Sequence, residues 1–224
     1  MSYPINYPTP QGANIQIFYK TADWVKPQGA SFVWFTLIGA GGPTDNSATN
    51  LVGGGSGAVT NFMGPAFLMP DVLRVQVGNG DGTGDDLKSI IFYQQKNGNG
   101  YTLLNANGGS AGSNGGGGGT ATTPDAFGAM GFSQSIAGQD GVNDVQSASS
   151  TTFLSGGSYN NTVTSNYGYS TNRSGFFQTQ PIIVGVGGGV TSPSRGGIGC
   201  GGGGSVLNSS LGRGGNGLVV IVTW

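Results

Sequence analysis

Runs of glycine decide what this chain can become. Gly39-Ala40-Gly41-Gly42, Gly53-Gly54-Gly55, an unbroken stretch at 115–119 and further runs at 187–189 and 201–204 recur along one sequence. A run without Cβ atoms has no side chain to bury and the most backbone entropy to lose on ordering. Two physical outcomes remain: a flexible linker, or extended polyproline-II-like strands packed so closely that only glycine fits. Each run abuts an apolar segment, and linkers rarely interrupt a core so often. The absence of a strict Gly-X-Y period excludes collagen. Glycine contributes 47 of 224 residues, which without a period can also mark disorder, but 36% of the chain is hydrophobic and those residues gather in strand-length runs.

The remaining composition narrows the function. Charged residues make up 8% of the chain, where about 25% is usual, and the formal charge of -1 leaves no electrostatic footprint for a polyanion, so no nucleic acid is expected as a partner. There is no His and a single Cys, Cys200, so imidazole chemistry and an intrachain disulfide are both missing. All nine acids are Asp. The dearth of strong helix formers predicts little helix. No stretch is apolar for the roughly 18 residues of a spanning helix, and the N-terminus has neither a basic region nor an apolar leader, so no membrane insertion is expected.

The spacing of apolar runs predicts an all-β fold: a single β-sandwich, jelly-roll-like, with glycine-rich, partly polyglycine-type extended connections and long loops. Residues 1–12, with Pro4, Pro8 and Pro10 beside Tyr3 and Tyr7, read as an extended N-terminal arm, and 13–224 as one glycine-rich β domain. Strands are expected at 14–19 (NIQIFY), 31–38 (SFVWFTLI), 56–62, 72–77, 89–94, 101–106, 181–186 and 218–224 (LVVIVTW), with 24–27 a kinked entry and Lys96-Asn97-Gly98-Asn99-Gly100 a hairpin turn. The 31–38 and 218–224 runs are the most hydrophobic and are expected together in the core of one sheet system. The polar tract at about 120–180 reads as a loop-rich excursion.

Motifs that could carry chemistry are thin. Gly39-Ala40-Gly41-Gly42 after a strand imitates the start of a dinucleotide fingerprint, but Pro43 and Thr44 follow where a glycine and a helix are needed. Asn79, Asp81, Thr83 and Asp85 alternate with glycines as in a calcium loop, yet Ile90 stands where a bidentate Glu belongs, so an Asx-rich turn is the plainer reading. Cys200 has no basic neighbour in sequence to activate it, and nothing pairs Asp23, Asp125, Asp140 or Asp144 for glycoside hydrolysis. No catalytic residue, cofactor or metal is assigned. The most suggestive binding feature is Tyr159, Asn160, Asn161, Tyr167, Tyr169, Asn172, Arg173, Phe176 and Phe177, whose aromatic, amide and glycine mixture suits carbohydrate or protein contact, or the pinning of a long loop.

Both ends of the domain carry a specific pattern. Phe18-Tyr19-Lys20-Thr21-Ala22-Asp23-Trp24-Val25-Lys26-Pro27-Gln28-Gly29, then the strand through Ile38-Gly39-Ala40-Gly41-Gly42, resembles the opening of glycine-rich domains of viral, chiefly bacteriophage, tail-fibre and other virion structural proteins. The glycines at 201–204, then Gly212-Arg213-Gly214-Gly215-Asn216-Gly217 and an apolar strand ending in Trp224, resemble that family's close, and Gly57-Ala58-Val59 and residues 70–78 its intervening strands. The likeness covers about 17–109 and 182–224, and the 120–180 segment departs from it.

The resemblance implies a non-enzymatic virion structural protein, a surface decoration, fibre or capsid-associated component, located on the particle surface or in a fibre and acting through homo-oligomeric assembly with itself and other virion proteins. The alternative is a receptor-binding adhesin whose excursion grips a host surface glycan or protein. A cellular extracellular filament subunit is a further alternative.

Overall fold

The computed structural model describes residues 12–44, 53–94, 100–112, 116–122, 130–143, 149–150, 154, 158–160, 169–170, 195–205 and 212–224. Two antiparallel sheets form the body. The first has the order β1 (Asn14–Phe18), β14 (Leu218–Thr223), β3 (Phe32–Ile38), β4 (Val59–Pro65) and β8 (Phe132–Ile136). The second has the order β2 (Ala22–Val25), β5 (Val72–Gln76), β6 (Ser89–Gln94) and β7 (Gly100–Ala106). Among the described residues, helix is limited to short 3-10 turns such as Ala66–Leu68 and Gly84–Leu87, and two small sheets of two- and three-residue parallel strands accompany the body.

Alternation along the strands builds the core between the sheets. Val33, Phe35 and Leu37 of β3, Phe62 of β4, and Val219 and Ile221 of β14 are buried against Trp24, Leu73, Val75, Ile91, Leu104 and Ala106 of the second sheet. Trp24 meets Phe35 edge-on at 5.7 Å between centroids, and Phe35 lies 6.4 Å from Phe62. The two most hydrophobic runs are neighbours: β14 pairs with β3 from Leu218↔Ile38 to Thr223↔Val33. β6 and β7 form the expected hairpin, with the residues of its turn, 95–99, outside the described set.

Three elements depart from the sequence reading. Ala22–Val25 is a true strand, paired with β5, because Trp24 supplies a large apolar anchor for the core face while Asp23 and Val25 face out. β8 falls inside the segment expected to be excursion, and pairs with β4 from Val59↔Ile136 to Met63↔Phe132. As an edge strand, with Phe132 and Gln134 facing out, it needs little apolar content. β4 is displaced toward the C-terminus, because residues 53–58 belong to a different kind of structure. The expected arm and the strand at 181–186 lie outside the described residues, apart from Gly12 of the arm.

At one end of the sandwich, β3, β4, β7, β8 and β14 continue into glycine-rich segments at 39–44, 53–58, 107–112, 137–141 and 212–217, joined by 116–119 and 195–203. These are neither helix nor sheet, yet their amides are engaged. Gly54 and Gly57 donate to Gly202 and Gly199, Gly55 and Ala58 to Ser110 and Asn107, and Ser56 to Gln139. Every third residue therefore addresses the same neighbour. The 39–44 segment repeats this, with Gly39 and Gly42 donating to Ala58 and Gly55, and Gly41 and Thr44 to Gly215 and Gly212. A threefold repeat with all hydrogen bonds external is the mark of polyproline-II geometry. Side-chain-free backbones thus interlock, as the Cβ positions make plain: a methyl on Gly41 would run into the Cys200 carbonyl, on Gly55 into the Gly117 carbonyl, and on Gly57 into the Gly39 carbonyl.

This yields a contrast within the bundle. Gly55→Ala or Gly41→Ala should destabilise by about 3 kcal/mol or more, because a backbone carbonyl cannot swing aside as a side chain can. At Gly117 an added Cβ meets nothing nearer than Ser110 Oγ at 3.8 Å, so Gly117→Ala should stay within about 0.5 kcal/mol of the parent. Thermal unfolding of the three variants checks the ranking, with a loss of roughly 6–12 °C expected for the first two.

Candidate functional site

The glycine segments fix where the connections emerge. Antiparallel pairings such as Gly42 to Gly55, Thr44 to Gly212, and Gly141 to Gly116 run each segment outward from a strand end. The connections across 44–53, 112–116, 141–195 and 203–212 consequently leave from the end of the bundle remote from the sheets. Residues 195–203 make a hairpin of two glycine legs. Gly196 and Gly199 donate to Arg213 and Asn216 on the way in, and Gly202 donates to Gly42 on the way out. Its turn needs Gly199, which sits at φ 69°. The turn drives Ile198 and Cys200 against Ile38, Val59 and Leu218 on the outward side of the first sheet.

The excursion is tied to this frame. Leu154 is buried in the same cluster as Ile38 and Cys200, and its carbonyl accepts a 3.3 Å hydrogen bond from Ser56 Oγ. β11 (Ser158–Asn160) lies between β9 (Val142–Asn143) and β13 (Gly204–Ser205), parallel to both, with Tyr159 opposite Asn143 and Gly204. β10 (Ser149–Ser150) pairs in parallel with β12 (Tyr169–Ser170). Of the nine candidate contact residues, Tyr159 and Asn160 are therefore placed on β11 and Tyr169 on β12. Asn161, Tyr167, Asn172, Arg173, Phe176 and Phe177 lie outside the described residues. Leu154 escaped the sequence reading because a lone Leu in a Ser/Thr/Gly tract has no periodicity.

The motifs weighed for chemistry are occupied by structure. Gly41 and Gly42 donate to the Gly215 and Gly55 carbonyls, so their amides are not turned to a phosphate. In the 79–88 loop, Asn79 Oδ1 accepts from the Asp81 amide at 3.1 Å, an Asx turn. Asp81 Oδ2 then meets Arg195 at 3.0 Å and Arg213 at 3.3 Å. Arg195 also donates to Asn216 Oδ1 at 2.9 Å, and the same oxygen accepts from the Gly80 amide, so the loop is buttoned to the start of the 195–203 hairpin and to the 212–217 segment. Asp85 meets Lys88 Nζ at 2.7 Å, and that hydrogen bond first, then the ammonium charge, holds its carboxyl below the ordinary carboxylate range. A lowered pKa of this kind helps the fold above the unfolded-state value and ceases to help as pH falls through the folded one. Asp23 pairs with Arg74 at 2.9 Å across β2 and β5, and Asp140 accepts from the Gly118 amide at 2.7 Å. Asp125 and Asp144 lie outside the described residues. Among the described residues no three or more His, Cys, Asp or Glu side chains gather.

Neither a protein-family model nor a curated protein matches the chain. What its loops and faces do must be argued from their own chemistry.

The Asp81 network yields a direct check. Asp81→Asn should lower stability by about 1 kcal/mol at low ionic strength, since the pairs are partly exposed, and the loss should shrink in molar salt. Millimolar calcium should leave the melting temperature of the parent protein unchanged, because Asp81 and Asp85 are directed at Arg195, Arg213 and Lys88. Thermal scans with and without salt and calcium measure both.

Proposed function

We propose that the chain is a non-enzymatic virion structural protein, a decoration, fibre or capsid-associated component of the particle surface that acts through assembly of identical copies. The observation that carries this reading is the interlocked glycine bundle. Its backbone groups serve one another, glycines stand where the segments approach most closely, and it joins the strand ends of a sandwich into one framework. Such a framework offers mechanical support and positions for loops. The resemblance of 17–109 and 182–224 to glycine-rich domains of virion proteins supports the same reading, and the low charge suits permanent contacts.

A second reading is favoured by a separate observation. The four connections, the 141–195 excursion among them, leave from one end of the bundle, and loops held by a scaffold are where recognition concentrates. On that reading the protein is an adhesin, presenting Tyr159, Tyr167, Tyr169, Phe176 and Phe177 to a host surface glycan or protein.

Quantitative mass spectrometry of gradient-purified particles tests the first reading: the chain should co-sediment at a fixed ratio to the shell protein, and its absence from particles would overturn the proposal. Removal of residues 1–11 should impair incorporation if the arm takes part in assembly. The combined change Tyr167→Ala, Tyr169→Ala, Phe176→Ala and Phe177→Ala separates the two readings. Loss of host attachment with normal incorporation is the adhesin result, and loss of incorporation with it is the scaffold result.

A further inference from the structure

Each sheet of a sandwich ends in two edge strands, whose outer N–H and C=O groups invite pairing unless something blocks them. At β7 and β8 they are screened. The 116–122 segment reaches both, Thr122 donating through its amide to Ser135 Oγ at 3.0 Å and through its hydroxyl to the Asn105 carbonyl at 3.0 Å. β2 carries Asp23, ion-paired with Arg74 at 2.9 Å. β1 bears no charge, and neither a proline nor a bulge interrupts Asn14–Phe18. The register shows which of its groups point away from the sheet. Phe32 and Trp224 exchange backbone hydrogen bonds at 2.9 and 3.2 Å, which fixes the alternation along β14: Leu218, Val220 and Val222 bond toward β3, and Val219, Ile221 and Thr223 toward β1. Phe18, Gln16 and Asn14 stand opposite the latter three. Ile15 and Ile17 are left with N–H and C=O directed outward, and among the described residues nothing bonds to them. Their side chains are 58% and 47% exposed.

We propose that β1 is the seam between two copies of the chain, pairing antiparallel with its own counterpart across a twofold axis at Gln16 and joining the two five-stranded sheets edge to edge. The proposal deepens the assembly reading above and rests on it. The sequence of the strand singles out a second copy. Ile15-Gln16-Ile17 reads alike in both directions, so the axis sets Ile15 of one copy against Ile17 of the partner subunit, each such pair exchanging two hydrogen bonds. Gln16 then meets Gln16 of the partner subunit at the closely spaced position that has no backbone bonds, where each carboxamide can both donate and accept. No like charges oppose one another: with that axis Lys20 falls opposite Gly12 of the partner subunit. Gly12 also ends the pairing, because its φ of 111° takes the chain off the course of the strand. The residues that precede β1 are poorly suited to the same place. Pro4, Pro8 and Pro10 interrupt 1–11, and a proline has no N–H to give to a ladder.

The test is sedimentation equilibrium of the full chain at micromolar concentrations, with hydrogen exchange on the same samples. The parent should sediment at twice its 22.4 kDa. Ile17→Pro removes an outward N–H and leaves the bonds to β14 in place, and should weaken association by about 30-fold, since the pair loses two donors. Gln16→Lys and Gln16→Glu should each weaken it about tenfold by setting like charges face to face, and mixing the two variants should restore it. A damaged fold would not recover on mixing. Tyr101→Lys, an exposed position on the second sheet, should leave association unchanged. In the unaltered protein the amides of Ile15 and Ile17 should exchange freely when dilute and become protected as concentration rises. A monomeric parent, a mixture no tighter than its components, or a dimer whose Ile15 and Ile17 amides stay in fast exchange overturns the proposal. Protection independent of concentration assigns the edge to a segment of the same chain and overturns it as well. Particle mass spectrometry separately decides virion membership, so failure of the dimer and failure of the functional reading are distinguishable.

Discussion

A backbone N–H of one glycine segment reaching the carbonyl of another, with no side chain between them, is the interaction on which this molecule depends. Each such bond contributes only about 1 kcal/mol net, but leaving its groups buried and unmet would cost more than making the bond gains. The arrangement is consequently all or none: Gly54, Gly55, Ser56, Gly57 and Ala58 each find a partner, and they do so on several sides of one segment. The closeness that permits this is the same closeness that forbids a Cβ. Glycine normally loses stability to its own flexibility, and here the lattice of external hydrogen bonds offsets that loss.

The sandwich and the bundle are continuous because the strands that supply the core also supply the glycine segments. β3 delivers Phe35 and Leu37 to the core and then Gly39, Gly41 and Gly42 to the bundle, and β14 reverses that order. The junction is sealed by side chains small enough to pass between the two regimes. Ser89 is one, its hydroxyl donating to the Ile38 carbonyl at 2.6 Å and accepting from the Gly78 amide at 3.0 Å. From this union follow two surfaces of different character: an end where the polar connections emerge, and a flank where the outward side chains of the first sheet are largely apolar.

Most of the sheet framework was legible because β-branched and aromatic residues mark it locally. The runs at 32–38, 72–76, 89–94, 100–106 and 218–223 each announce themselves by alternation or by sustained apolarity, and the pairing of the two most hydrophobic runs follows from their need to share the interior. β8 did not announce itself, since Phe-Ser-Gln-Ser-Ile at an edge is held by register to β4 and by contacts such as Thr60 Oγ1 to Ser135 Oγ at 2.9 Å. The partners of the glycine segments were not legible at all. A residue without a side chain carries no local mark of what it packs against, so only the recurrence of the runs hinted at an ordered array. The outward row of the first sheet was hidden for another reason: Ile15, Val222, Trp34, Met63 and Phe132 come from five separate strands and line up only through register. Of the proposed contact tract, composition identified residue types suited to recognition, and the backbone positions of Tyr159, Asn160 and Tyr169 place part of it on short parallel strands beside the bundle.

Native-state hydrogen exchange at residues 53–58 tests the central claim most directly. If the glycine segments are an interlocked solid, the amides of Gly54, Gly55 and Gly57 exchange only through global unfolding, as slowly as those of Phe35 and Val219 in the sheet core. Exchange within seconds, as for an unstructured glycine linker, would contradict the account.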